Sequence, residues 1–207
     1  MSGGATAATR LAIALGLAAA WPLVFALDVR SAVPWLAVLA AAIIAVAVAV
    51  ERPRLAALLR PTLDDLRLGA LTGAVMVGVT YGGYHLAAHV VPGLRADVAE
   101  VVALAGPYQR ARAVPLLLLV VVAEELLWRG VLLGALAERQ PIERAAALSL
   151  LTYAAAQAGA GSVLIVAVAL ACGGVWTWLR VRTGRLPASL VSHAMWTTTV
   201  VVIHPLA

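Results

Sequence analysis

A chain of 207 residues that is 63% hydrophobic and only 12% charged, with a mean hydropathy of +0.99, has too little polar surface to stay folded in water; this excludes an ordinary soluble domain and points to a polytopic membrane protein. The net charge of +5 does not indicate a nucleic-acid partner, because the arginines fall in short loops beside apolar segments rather than in one patch. A lone cysteine, Cys172, excludes a disulfide framework.

In chain order, apolar stretches predict helices over residues 8–27, 33–50, 68–91, 114–137, 143–159, 161–179 and 186–203. Each is long enough, or nearly so, to cross a hydrocarbon core of about 30 Å at about 1.5 Å per residue. The expected fold is all-α: a transmembrane helical bundle of about seven spans, forming a single integral membrane domain over residues 1–207 with no internal repeat or linker. The first stretch is long, carries a weak cleavage cue and is followed at once by further spans, so it is expected to be retained rather than removed as a signal peptide. Residues 92–113 mix charges with Val, Ala and Leu at helical spacing and are expected to lie along the interface.

Arg10, Arg52, Arg54, Arg60, Arg67, Arg139, Arg144, Arg180, Arg182 and Arg185 fall in one set of alternate loops, against Arg30, Arg95, Arg110 and Arg112 in the other. This bias places the N-terminus and the 51–67 loop in the cytoplasm.

The stretch AEELLWRG, Ala123 to Gly130, interrupts an almost continuous apolar run with Glu124, Glu125 and Arg129. Each such group costs about 2.5–3.5 kcal/mol at a helix centre on insertion scales. Glu125 and Arg129 stand four apart on one helical face, acid before base, and can neutralise each other. Glu124 points about 100° away and has no obvious local cation, so it is the residue expected to take a proton from water and return it. The alternative is that all three serve helix packing. Buried ion pairs contribute little to stability, and intramembrane charges by default mark sites, which favours the functional reading.

Ser192, His193, Thr197 and Thr198 lie inside the last apolar stretch, with His193 and Thr197 four apart on one face. An imidazole and a hydroxyl so placed can donate to a developing oxyanion; equally, they can bond to helix carbonyls. His85 and His89 share a face at a spacing compatible with metal, but no complete H-E-x-x-H and no flanking acid accompanies them, so a structural or interfacial role is expected and no metal or other cofactor. Supply of an imidazole to the Glu124 site is a further option for that pair. The glycines beside Tyr81 and Tyr84, together with Gly173, Gly174, Gly159 and Gly161, are expected to permit close packing or turns. Trp176 and Trp178 read as an interfacial belt.

The E-E-x-x-x-R pattern followed by glycine, and the later stretch GGVWTWLRVRTGRLPASLVSHAMW leading into His193, resemble the CPBP family of intramembrane proteases (CAAX protease and bacteriocin-processing, also called ABI, with the Rce1-type prenyl endopeptidases). The likeness covers roughly residues 114–200. It implies a glutamic intramembrane endopeptidase that hydrolyses a peptide bond in a membrane-associated protein or peptide, embedded in a lipid bilayer such as the bacterial inner membrane. Glu124 matches the family's water-activating glutamate, Glu125 and Arg129 the paired remainder of that motif, and His193 the later histidine. Two positions depart. Gln157, in Tyr153 to Gln157, stands where the family has histidine, and Thr197 stands where it has asparagine. Glutamine can position a water but cannot exchange a proton near neutral pH, so the resemblance also admits a non-catalytic member acting as a scaffold or partner-binding protein.

Overall fold

Apolar runs rich in alanine and leucine, without strand-type alternation, fold as helices throughout the described residues, 5–25, 29–105 and 110–206 of the computed structural model. The helices are α1 (Ala7–Phe25), α2 (Val29–Leu59), α3 (Leu63–Val90), α4 (Leu94–Ala105), α5 (Arg110–Glu124), α6 (Leu133–Ala137), α7 (Ile142–Gln157), α8 (Val163–Thr183) and α9 (Pro187–Thr197). Two π-helical stretches, Glu125–Leu132 and Thr198–Ile203, continue α5 and α9, and a 3₁₀ turn, Ala158–Ala160, follows α7.

Several expected boundaries shift for local reasons. α2 does not stop at residue 50 but runs through Pro53 to Leu59; Arg10 neutralises Glu51, and the Leu55–Leu59 stretch, LAALL, is made of good helix formers. It ends there since Arg60 precedes Pro61, which disfavours helical geometry at the preceding residue. The helix expected over 114–137 is divided by the π-helical stretch, and that expected over 186–203 ends in another. Residues 106–109, within the expected interfacial segment, lie outside the described residues. By length and composition, Pro34–Leu59 and Val163–Thr183 suffice to cross a membrane, while Ala7–Leu23 and Pro187–Ile203 are shorter apolar helices. α3 presents Leu71, Val75, Val79, Leu86 and Val90 outward, each more than half exposed, an apolar stripe of the kind water-soluble monomers avoid.

The core forms around the π-helical stretch, whose eight residues are all buried. Trp128, Leu127 and Leu132 pack there against Trp21 of α1, Ile43 of α2 and Tyr153 of α7. α9 is held from the other side by α3. A Cβ at Gly69 would lie 2.5 Å from the Ala188 carbonyl oxygen, and one at Gly73 would lie 3.2 Å from Ser192 Cα, so both glycines let the helices touch backbone to backbone. Gly82 and Gly83, expected to do the same beside Tyr81 and Tyr84, face open space instead. Gly159 does meet a neighbour, with Pro22 Cα 2.7 Å from its would-be Cβ, and Gly161 adopts the left-handed conformation that closes the turn before α8.

A polar clamp fixes the start of α3, ahead of its apolar stretch. Thr62 and Asp65 form a capping box, each side chain bonding the other's backbone N–H. Arg185, in the α8–α9 turn, donates Nε to Asp65 Oδ2 at 2.9 Å and Nη2 to Oδ1 at 3.1 Å. This bidentate bond holds the Asp65 carboxyl below its usual value. A carboxylate held low in the folded state stabilises fully above its unfolded value, about 3.9, and stops doing so as pH falls through the folded one. Asp65→Asn is therefore expected to melt earlier than the wild type at neutral pH, with the difference in midpoint closing below about pH 4; thermal unfolding of the purified protein across pH checks this.

Candidate active site

The E-E-x-x-x-R segment lies where α5 passes into the π-helical stretch, and that geometry decides how its side chains aim. Bonds from i to i+5 put more residues in each turn than an α-helix holds, so neighbouring side chains diverge by less than the expected 100°. Glu124 and Glu125 accordingly do not point to unrelated faces. Both reach the ring of His193, with Glu125 Oε1 3.0 Å from Nδ1 and Glu124 Oε2 3.5 Å from Nε2. Glu124 has no cation nearby on its own helix other than the Arg129 that Glu125 takes; its imidazole neighbour comes from a helix 69 positions further along the chain.

Arg129 pairs with Glu125, Nη1 to Oε1 at 3.2 Å, as its spacing predicts. The rest of its guanidinium is also occupied: Nη2 donates to the Gly173 carbonyl at 3.1 Å and Nε to Thr177 Oγ1 at 3.4 Å. Its Cζ sits 4.6 Å from the Tyr153 ring centre and 5.5 Å from that of Trp176, within cation–π range. The widened turn also leaves two carbonyls bonded by side chains, that of Trp128 by Ser149 Oγ at 2.7 Å and that of Arg129 by Arg180 Nε at 3.1 Å.

Glu124 has further partners of its own. Gln157, at the end of α7, donates Nε2 to its Oε1 at 2.7 Å, and the Tyr153 hydroxyl stands 3.5 Å from Oε2. Glu124, Tyr153, Gln157, Trp176, His193 and Thr197 line a cavity of about 170 Å³ that Glu125 and Arg129 do not reach. One water needs roughly 10–15 Å³ of such space, so the cavity has room for several. The long Glu124–His193 separation leaves a gap of the kind that a water or a reacting group closes.

Charge restricts the proton count. Glu124, Glu125, Arg129 and His193 are all at most 5% exposed, and an uncompensated charge there would cost several kcal/mol. Two carboxylates, a guanidinium and a protonated imidazole sum to zero. Moving the imidazole proton to Glu124 also sums to zero. Glu124 Oε2 and Glu125 Oε1 face the two nitrogens of one imidazole, Nε2 and Nδ1 respectively.

All six expected site residues therefore fall in one cluster, with Thr197 on the cavity wall and the other five in direct contact. His85 and His89 are exposed on α3 and take no part, and no group of three or more potential metal ligands occurs among the described residues. Three contributors were not expected as site residues. Trp176 is not an interfacial belt residue but is buried and stacked on the His193 ring, centres 3.5 Å apart and planes 17° apart, whereas Trp178 is exposed as expected. Gly173 supplies a carbonyl to Arg129, and a Cβ there would come within 2.8 Å of the Tyr153 ring. Tyr153 touches both Glu124 and Arg129. The buried positions Ala169, Cys172, Gly173, Trp176 and Thr177 recur every three to four residues, which was the available signal for this face of α8.

Residues 106–199 match the family model described as Rce1-like, type II CAAX prenyl endopeptidase Rce1-like. Over this segment the chain resembles the Rce1-like family. The match covers the whole cluster just described and agrees with the CPBP resemblance carried by Glu124 to Arg129 and His193. The family so described is one of endopeptidases. No curated protein and no solved structure matches the chain.

Removing one charge from the cluster should expose its neutrality requirement. Arg129→Gln is expected to lower stability by about 3–5 kcal/mol, and Glu125→Gln added to it should restore part of that loss. Denaturant unfolding of the two single variants and the double variant checks this; strictly additive losses would contradict it.

Proposed function

We infer that the chain spans the membrane as one polytopic domain of about seven helices, N-terminus cytoplasmic, and hydrolyses a peptide bond in a membrane-associated protein. The observation that supports this reading best is the division of labour between adjacent glutamates: Oε1 of Glu125 is taken by Arg129 and His193 and Glu125 lines no cavity with them, whereas Glu124 opens onto a cavity it shares with His193.

In the proposed reaction a water lies between Glu124 and the scissile carbonyl. Glu124 takes its proton as the water oxygen bonds to the carbonyl carbon, and the carbonyl electron pair moves onto oxygen. That oxyanion receives hydrogen bonds from Nε2–H of His193, held in place at Nδ1 by Glu125, and from the Thr197 hydroxyl. Collapse re-forms the carbonyl and breaks the C–N bond, and the departing amine takes the proton back from Glu124. Gln157 orients the Glu124 carboxylate without exchanging a proton. The family's own histidine is thus replaced by a positioning group, and Glu124 acts as sole base.

A second cavity of about 440 Å³, almost wholly apolar, adjoins the first and shares Ile165, Val168 and Trp196 with it. It offers a place for an apolar or lipid-modified portion of the substrate beside the reacting bond. Gln157 also favours a second reading, a scaffold that binds its partner in these cavities without cleaving it.

Glu124→Gln separates the two. For an enzyme, turnover should fall by about 10²–10⁴-fold with expression and melting temperature near wild type, and comparative membrane proteomics should find the same uncleaved precursor in the deletion and Glu124→Gln strains. A scaffold would leave the deletion phenotype rescued by Glu124→Gln.

A further inference from the structure

A third cavity, of about 610 Å³, opens at the opposite end of the π-helical stretch from Glu124 and shares no lining residue with the other two. Arg10, Arg54, Arg60, Arg180 and Arg185 line it, with Glu51 and Glu138. Its volume lies within the roughly 300–1,000 Å³ usual for small-molecule sites. Four distant parts of the chain meet here: the start of α1, the end of α2, the end of α6 and the α8–α9 turn. Leu186 N–H ties that turn to the Leu58 carbonyl at 2.9 Å.

The partners of these arginines show what is already satisfied. Arg10, 1% exposed, is fully engaged, donating Nε to Glu51 at 2.6 Å and Nη1 to Glu138 at 2.5 Å. Arg54 stands 3.1 Å from the same Glu138 oxygen, and Arg185 is held by Asp65 from outside the cavity. Among the described residues Arg180 uses only Nε, on the Arg129 carbonyl. Neither Arg180 nor Arg60 has a carboxylate within 4.0 Å among the described residues. Five arginines thus face three carboxylates, an excess of two positive charges in a partly enclosed space, where low-dielectric walls strengthen the field. Gly130 and Gly134 form part of the wall. A Cβ at Gly134 would lie 2.8 Å from Arg10 Nη2, so its absence lets the rigid Arg10 frame the site.

We propose that this cavity binds a phosphate-bearing anion, with Arg60 and Arg180 supplying the donors that its other arginines do not. Guanidinium forks match phosphate oxygens in shape and charge. The site lies where the long apolar run of α2 gives way to Glu51, and Trp178 is exposed two residues before Arg180, which puts the cavity at headgroup depth on the membrane reading above. The phosphate belongs either to an anionic lipid headgroup or to a soluble phosphate ester. Through Arg180, the occupant also bears on the Arg129 carbonyl and hence on the π-helical stretch.

The test needs no cleavage assay and so stands or falls apart from the proposed peptidase. The purified full-length protein in detergent is melted with increasing phosphatidylglycerol, glycerol phosphate or phosphatidylcholine, each at matched ionic strength. A saturable rise in melting midpoint is expected with phosphatidylglycerol or glycerol phosphate and none with phosphatidylcholine; which of the first two acts identifies the source. The apparent Kd should weaken by about tenfold or more in the Arg60→Gln/Arg180→Gln double variant. Because Arg180 also bonds backbone, Ala57→Glu, which adds an acid to the exposed wall without removing a bond, should weaken binding likewise. No saturable rise with either ligand, or unchanged affinity in either folded variant, would overturn the proposal.

Discussion

The requirement that four ionisable groups in an apolar interior sum to no net charge governs the rest of this structure. Glu125 and Arg129 meet it between themselves. Glu124 and His193 face each other, Oε2 to Nε2, on the wall of a cavity with room for water. The π-helical stretch serves this arrangement directly, since the smaller angular step between neighbours lets two consecutive glutamates address the two nitrogens of one ring. Trp176 stacked on that ring and Tyr153 against the guanidinium fill the surrounding volume with aromatic faces, which accept cationic neighbours while keeping bulk solvent away.

Holding His193 in register falls to elements distant from it. Gly69 and Gly73 bring α3 against α9 at backbone contact, and Arg185 anchors the α8–α9 turn to the capping box of α3. α8 contributes from the third side through the Gly173 carbonyl and Thr177. Helix ends carrying five of the fifteen arginines converge on the far cavity, so the bundle has one basic end, with the Glu124–His193 cluster set apart from it. Arg180, bonded to the Arg129 carbonyl, is the physical link between them.

How much of this was legible in the sequence depended on the range of each interaction. The helices could be read because an uninterrupted apolar run offers few other solutions, and the Glu125–Arg129 pair because four residues make a near-complete turn. The meeting of Glu124 with His193 and Gln157 could not follow from spacing at all; the family resemblance supplied it. Trp176 was misread because a tryptophan next to an arginine cluster has the composition of an interfacial belt, and only the packing of α9 on α8 shows that its ring faces inward. The π-helical stretch leaves no signature in residue types. The Arg10–Glu51–Glu138 cluster joins residues 41 and 128 positions apart, which loop-by-loop counting of arginines put on one side but could not bring into contact.

The claim at the centre is that water, and not the glutamate itself, attacks the substrate. Single-turnover cleavage of the accumulated precursor in ¹⁸O-labelled water tests it most directly, by mass spectrometry of both product and protein. Label is expected in the new carboxyl terminus of the product and none in the Glu124 side chain. Label carried by the Glu124 carboxyl would mean a covalent acyl-enzyme and would contradict the water-activating role assigned to this residue.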